Sequence, residues 1–180
     1  MILQTERLIL REYALTDFGA LRVIHNDPEV QALRGGYVLL EQETRDEITY
    51  VIAAQQEQPR IRFQWIIERQ ANAPEVIGYC RLVITSNASR SAEIGYFLKR
   101  DAWGNGYATE AALELLKFGF SQLRLHRITA GCIDTNTPSA HVMEKIGMRR
   151  EGVLREDRWF NGQWHDTLLY AILEQEWNHQ

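Results

Sequence analysis

Hydrophobic positions near the N-terminus recur first at every second residue and then at helical spacing. Leu8 and Leu10 share one face of a predicted first strand. Thr16 follows as a candidate N-cap for a helix that ends near residue 25. The stretch NDPEVQALRGG predicts a short second helix closed by Gly35 and Gly36, and EQETRDEITYVIAAQQEQ predicts a longer third helix. The first third of the chain is therefore one strand followed by three helices.

Strand-like alternation returns in the middle of the chain. RIRFQWIIER, EVIGYCRLVI and SAEIGYFLK are separated by the short turns ANAP and SNASR, which predicts an antiparallel meander. Later, HRITAGCI predicts a strand, and TPSAHVMEKIG predicts a helix with Pro138 at its first position and Gly147 after its end. The turn NG then joins two long strands in a C-terminal hairpin. The pattern predicts one α+β domain over residues 1–180, with helices flanking a mixed, mostly antiparallel sheet.

Composition narrows the kinds of partner and compartment that we expect. The chain has 180 residues, of which 45% are hydrophobic and 24% charged, as in a globular domain. Its net charge of −4 gives no broad basic footprint for nucleic acid. No apolar run approaches the roughly 20 residues of a membrane span, and the N-terminus does not fit a signal peptide. Cys80 and Cys132 are far apart, so we expect a cytosolic, reduced protein without a metal site.

The stretch DAWGNGYATEAALELL places Gly104 and Gly106 just before a run of helix formers. Such a loop can cradle a phosphate at a helix start, or it can be a turn that needs positive φ. A P-loop would need Lys and Ser/Thr where Tyr107 and Ala108 stand. A Rossmann loop would need a third Gly or Ala at Thr109. The loop therefore suits a pyrophosphate that is bound by backbone amides without a metal.

Two long blocks carry a resemblance to a known family. AEIGYFLKRDAWGNGYATEAALELLKFGF and LHRITAGCIDTNTPSAHVMEKIGMRREG resemble the GNAT superfamily of acetyl-CoA-dependent N-acetyltransferases. They are most similar to the branch with the ribosomal-protein N-terminal alanine acetyltransferases. The superfamily's pyrophosphate motif falls on Trp103, Gly106 and Ala108, and Trp103 departs from the usual Arg or Gln.

The resemblance assigns the cofactor-binding positions. It implies that acetyl-CoA rests its pyrophosphate on the backbone amides of Trp103, Gly104, Asn105, Gly106, Tyr107, Ala108 and Thr109. Phe97 and Leu98 would line the pantetheine arm and the acetyl group, at the splayed end of their strand. Asn136 would hydrogen-bond the pantetheine arm.

Acyl transfer from a thioester to an amine needs a neutral amine, a donor for the developing oxyanion and a proton for the leaving thiolate. The resemblance implies that Ser139 donates that proton, although a hydroxyl in a first helical turn also serves as a capping group. Glu93 is the candidate base for the amine, and its alternative is a solvated strand carboxylate. From the sequence, Ser139 and Glu93 each keep both of these roles.

Other side chains suggest chemistry that their spacing does not support. His126, His141 and Cys132 match no zinc pattern. Asp134, Ser139 and His141 lack the nucleophile elbow of a hydrolase triad. We therefore expect no metal site and no hydrolase triad. A covalent enzyme intermediate is not needed, since a thioester is already activated.

The acceptor and the assembly state stay open at this point. The acceptor amine is a protein N-terminus, a free amino acid, a polyamine or an aminoglycoside. Trp65, Trp159 and Trp164 could line an acceptor groove, form an interface in a homodimer, or belong to the core. The rival functions are a non-catalytic acetyl-CoA sensor and a structural domain whose loop binds nothing.

Overall fold

The computed structural model describes residues 1–33, 36, 39–71 and 73–177. They form a single eight-stranded sheet in the order β1-β2-β3-β4-β5-β6-β8-β7. The strands are β1 (Ile2–Gln4), β2 (Leu8–Arg11), β3 (Arg62–Arg69), β4 (Glu75–Ser86), β5 (Ser91–Leu98), β6 (Arg127–Ile133), β7 (Arg149–Phe160) and β8 (Gln163–Leu173). The helices in the same residues are α1 (Phe18–Asn26), α2 (Pro28–Leu33), α3 (Glu41–Ala54), α4 (Tyr107–Lys117), α5 (Thr137–Lys145) and α6 (Glu174–Trp177).

Neighbouring strands pair antiparallel except for β5 and β6, which are parallel. The mixed, mostly antiparallel sheet predicted from the sequence is therefore confirmed. The predicted hairpin is also present, since Asn161 and Gly162 join β7 to β8 with φ of +51° and +77°, as a two-residue turn of the primed type requires.

Each face of the sheet is covered by its own helices. Alternate residues of the strands pack against α4 and α5 in the larger core, which includes Leu10, Trp65 and Ile94. The opposite face packs against α1 and α3 through a smaller core that includes Ile66 and Tyr79. Because successive strand residues point to opposite faces, the register fixes the face of every residue near the centre of the sheet.

Several local expectations differ from the structure. The sequence pattern missed β1, which pairs with β2 at the edge of the sheet. Thr16 is not an N-cap but lies in a short 3-10 turn, and α1 begins at Phe18. Pro138 is the second residue of α5 rather than the first, because the helix begins at Thr137. The third helix ends at Ala54, earlier than predicted. Gly35, predicted to close α2, is outside the described residues.

The feature that positions the site is the separation of β5 from β6. These parallel strands pair at only three positions, and Glu93 with Thr129 is the last pair. Residues 94–98 of β5 and 130–133 of β6 continue beyond that point without pairing to each other. The sheet therefore opens into a cleft between the C-terminal halves of β5 and β6, as expected from a splayed strand end.

No helix in the described residues combines the length and the apolar character that a membrane crossing would need.

Candidate active site

The glycine loop adopts the left-handed backbone that its sequence suggests. Gly104 has φ of +76°, and Gly106, the N-cap residue of α4, has φ of +80°. A Cβ on Gly104 would meet no heavy atom within 4 Å, and one on Gly106 would meet only the Nη2 of Arg7 at 3.4 Å. Backbone conformation, rather than crowding, is therefore what requires glycine at both positions.

The same loop presents a row of free hydrogen-bond donors. In the described part of the chain, the backbone N–H groups of residues 104–109 have no acceptor, and the first helical bond runs from Glu110 N to Gly106 O at 3.1 Å. The N–H of Trp103 is not part of this row because it donates to Arg100 O at 3.0 Å. Six successive donors at the positive end of a helix dipole are suited to a phosphate or pyrophosphate.

Side chains of the loop hold its carbonyl groups. The Asn105 amide donates to Trp103 O at 2.9 Å and to Ala102 O at 3.3 Å. The Trp103 indole N–H donates to Leu98 O at 3.0 Å. These bonds occupy the carbonyl groups of residues 102 and 103 and tie the loop to the end of β5. The two side chains therefore shape the row of amides, a role that is separate from contact with a ligand.

A partly buried carboxylate joins the loop to the N-terminal strands. Glu110 accepts from Thr5 Oγ1 at 2.5 Å, from Arg7 N at 2.8 Å and from Arg7 Nε at 2.7 Å. Arg7 also donates to Asn105 O at 3.0 Å and lies over the Tyr107 ring. Burial alone would raise the pKa of Glu110, but these hydrogen bonds and the Arg7 charge lower it. We call Thr5, Arg7 and Glu110 the loop anchor.

The cleft itself is lined by β5. Phe97 stacks on Tyr79 with ring centroids 5.0 Å apart on the α1 face, and Leu98 is buried in the core of the opposite face. The two predicted pantetheine contacts therefore lie at the C-terminal end of β5, on opposite faces of the sheet and beside the cleft.

Asn136 and Ser139 meet at the start of α5. Asn136 is the N-cap, since its Oδ1 accepts from Ser139 N at 3.1 Å, while its Nδ2 donates to Leu33 O at 3.4 Å. The Ser139 hydroxyl is not the cap and lies 3.2 Å from the Tyr96 hydroxyl. The capping role considered for Ser139 therefore belongs to Asn136, and the Ser139 hydroxyl faces β5.

Glu93 lies at the point where β5 and β6 part. Its side chain is 47% exposed and its Oε1 is 3.1 Å from Arg81 Nη2. The register places Glu93 and Phe97 on the α1 face of β5, whereas Tyr96 belongs to the α4 face. Glu93 and the Ser139 hydroxyl therefore approach the cleft from opposite faces of the sheet.

The histidines and cysteines do not converge. His126 pairs with Glu174 at 3.1 Å, His141 is exposed, and Cys132 is buried. No group of three His, Cys, Asp or Glu side chains in the described ranges is arranged to hold a metal ion. Burial raises the pKa of the Cys132 thiol to about 11, which keeps it protonated at neutral pH.

The three tryptophans have different environments. Trp65 is fully buried in the core. Trp159 and Trp164 are 58% and 56% exposed and pack edge-to-face at 5.2 Å near the β7–β8 turn. Trp65 therefore belongs to the core. For Trp159 and Trp164, the interpretations as an acceptor groove and as an interface both remain.

Comparison with known proteins identifies the family. Residues 7–149 match the family described as "Acetyltransferase (GNAT) domain". The chain belongs to the GNAT family of acetyltransferases. It is 34% identical over 176 residues to the uncharacterized N-acetyltransferase p20 of Bacillus licheniformis, covering 97% of each chain. It is an acyltransferase, as the names of its relatives indicate.

Two further relatives support the assignment at the level of structure and of sequence. The crystal structure of an acetyltransferase (GNAT family) from Bacillus anthracis is 31% identical and has a TM-score of 0.84, with 97% of this chain and 99% of that chain covered. The putative ribosomal N-acetyltransferase YdaF of Bacillus subtilis is 36% identical over 89 residues, 49% of each chain. The expected GNAT fold and family are thereby confirmed.

The sequence pattern did not single out the loop anchor or Tyr96 as parts of the candidate site. Arg7 and Glu110 are about 100 positions apart and meet only in the folded chain, so no local signal could reveal the loop anchor. Tyr96 lies in β5 on the same face as Ile94 and Leu98, so its place in the alternation is that of a core residue. Its hydroxyl distinguishes it, because a buried tyrosine O–H usually has a partner.

Proposed function

We propose that this GNAT protein transfers an acetyl group from acetyl-CoA to a primary amine, by direct attack while both substrates are bound. The observation that carries the proposal is the row of free amides at residues 104–109, next to the cleft between β5 and β6. A phosphate bound by these amides would explain why two glycines precede α4. The cleft would give the pantetheine arm a path from the amides to the centre of the sheet.

The chain has groups suited to each part of acetyl-CoA. The six amides would bind the pyrophosphate, with Arg7 adding positive charge beside Gly106. Phe97 and Leu98 would border the pantetheine arm. The Asn136 amide, whose bond to Leu33 O is long at 3.4 Å, would donate to that arm. Acetyl-CoA supplies a thioester that is already activated, so the protein needs no nucleophile of its own.

Two side chains are suited to the proton transfers. Glu93, whose side chain is half-exposed on the α1 face, would take the proton that the amine loses, directly or through a water. Ser139 would donate to the leaving sulfur from the α5 side. Because the sheet is open between them, groups on opposite faces can serve the same reacting centre.

The chemistry of the site favours an α-amino group as acceptor. An α-amino group with pKa near 8 is partly neutral at pH 7, whereas a lysine amine near 10.4 needs a stronger base. A carboxylate is a weaker base than either amine, so an acceptor that is already partly neutral is better suited to Glu93. The name of the putative ribosomal N-acetyltransferase among the relatives supports a protein N-terminus. The remaining acceptors are a free amino acid, a polyamine and an aminoglycoside. We also propose a reducing, cytosolic location, because both cysteines are free thiols.

The test is release of free thiol from acetyl-CoA with a panel of amines. The panel contains a peptide with a free N-terminus, its N-blocked counterpart with one lysine, a free amino acid, spermidine and an aminoglycoside. We expect the free N-terminal peptide to give the fastest release. Binding is followed separately by thermal stabilisation, which reaches roughly 2.7 kcal/mol when acetyl-CoA is present at 100 times its Kd.

Three other outcomes would correct the proposal. Stabilisation without thiol release for any amine would indicate an acetyl-CoA sensor. No stabilisation would indicate a structural domain. Fastest release with spermidine would change the acceptor class while keeping the reaction.

A further inference from the structure

Tyr96 connects β5 to the first turn of α5 across the cleft. It stands three residues beyond the last β5–β6 pair and pairs instead with Cys80 of β4. Its hydroxyl lies 3.2 Å from Ser139 Oγ and 3.2 Å from Ser139 O. The neighbouring residue along β5 is Phe97, which borders the proposed position of the thioester. The Tyr96 hydroxyl therefore contacts Ser139, the candidate proton donor.

The two oxygens of Ser139 compete for the single hydrogen of the Tyr96 hydroxyl. In a regular α-helix the Ser139 carbonyl already accepts the N–H of the residue four positions later, so one of its lone pairs is used. If Tyr96 donates to that carbonyl, the Ser139 hydroxyl is free to donate back to Tyr96, and its hydrogen then points away from the cleft. If Tyr96 donates to Ser139 Oγ, the Ser139 hydrogen is free for another acceptor.

We propose that Tyr96 is a positioning residue that donates to Ser139 Oγ and so directs the Ser139 hydrogen to the leaving sulfur. This inference rests on the proposed acetyl transfer. A hydroxyl that must donate in one direction needs a fixed donor on its other side, and in the described residues the Tyr96 hydroxyl is the side-chain group recorded within bonding distance of Ser139 Oγ.

The step is balanced without any further reagent. The N–C bond forms, the C–S bond breaks, and the proton that the amine loses equals the proton that the thiol gains. Ser139 stabilises the charge on sulfur through its hydrogen bond. When it gives its proton to the sulfur, its oxygen takes a proton back from solvent, to which Glu93 releases the proton of the amine. Tyr96 remains protonated throughout.

The environment of Tyr96 supports its role as a permanent donor. Burial raises its pKa to about 12, and the bond with Ser139 opposes this only in part. The side chain packs against the core of the α4 face. A tyrosine held neutral in a packed wall can orient a neighbour without itself exchanging a proton at neutral pH.

The experiment is a double-mutant cycle on the active protein with its best amine. The variants are Tyr96→Phe, Ser139→Ala and the double substitution, and each is measured for kcat, for the KM of acetyl-CoA and for CoA affinity. Tyr170→Phe is the matched control, because Tyr170 packs in the same core as Tyr96 and its hydroxyl bonds Glu144 of α5 at 3.1 Å. Melting temperatures are measured to check that every variant is folded.

We expect Tyr96→Phe to lower kcat about tenfold with KM and CoA affinity unchanged. Without Tyr96 the Ser139 hydroxyl loses its orientation, and its hydrogen bond to the charge that develops on sulfur is worth about that factor. We expect it to have no further effect when Ser139 is already Ala. Tyr170→Phe should leave kcat unchanged. A merely structural role would affect Tyr170→Phe and Tyr96→Phe alike, or would raise KM.

Two results would overturn the inference while leaving the proposed function intact. Wild-type kcat in Tyr96→Phe means that Ser139 needs no orienting donor. A full effect of Tyr96→Phe in the Ser139→Ala background means that Tyr96 acts without Ser139. A wild-type protein that releases no thiol overturns the proposed function instead, and this inference with it.

Discussion

Gly106 offers the sharpest test of the amide row, because the cost of replacing it can be separated from the loss of binding. Its φ of +80° is left-handed, and a Cβ there would meet only Arg7 Nη2 at 3.4 Å. Gly106→Ala is therefore strained through the backbone alone, by about 1–2 kcal/mol. For a domain of this size we expect the melting temperature to fall by about 2–8 °C.

The expected effect on binding is much larger than the effect on stability. The added methyl group would stand 3.4 Å from Arg7 Nη2, in the middle of the segment whose six N–H groups we propose bind the pyrophosphate. Each charge-assisted hydrogen bond is worth about 1.5–3 kcal/mol, so the loss of two costs at least about 3 kcal/mol. We expect the Kd for CoA to rise by about 100-fold or more, measured by isothermal titration calorimetry.

Gly162→Ala is the control with the same strain and no connection to the loop. Gly162 has φ of +77°, and a Cβ there would meet nothing within 4 Å. We expect it to lower the melting temperature by a similar amount and to leave the Kd unchanged. A folded Gly106→Ala protein that binds CoA like the wild type would refute the argument that residues 104–109 hold the pyrophosphate.

Two further predictions concern carboxylates. Glu93→Gln should lower kcat/KM at neutral pH about tenfold, and the loss should disappear as pH rises through the pKa of the amine; superimposable pH profiles for both proteins would exclude Glu93 as the base. Glu110→Gln should destabilise the fold at pH 7, as measured by urea unfolding. The folded pKa of Glu110 is lowered, so its contribution is present above the unfolded value near 4.3 and is lost as pH falls through the folded value. A stability difference from wild type that does not shrink below about pH 4 would contradict this.

Local sequence patterns determined most of the elements. The alternation in β3, β4 and β5 and the NG turn act between near neighbours in the chain, so they can be read without knowing the fold. Errors occur where a tertiary contact outweighs a local preference. Thr16 has the residue type of an N-cap, but Asp17 accepts from Ala14 N and pairs with Arg11, which fixes a 3-10 turn there instead.

The sequence by itself also determined the glycine loop, because positive φ at Gly104 and Gly106 is a property of residue type and position. Only the tertiary structure decided that the loop is anchored by Arg7 and Glu110, that β5 leaves β6 after Glu93, and that the Tyr96 hydroxyl meets Ser139. Each of these joins residues that are 36 to 103 positions apart or depends on where two strands cease to pair. Such contacts are set by how the helices and strands pack, and no local periodicity records them.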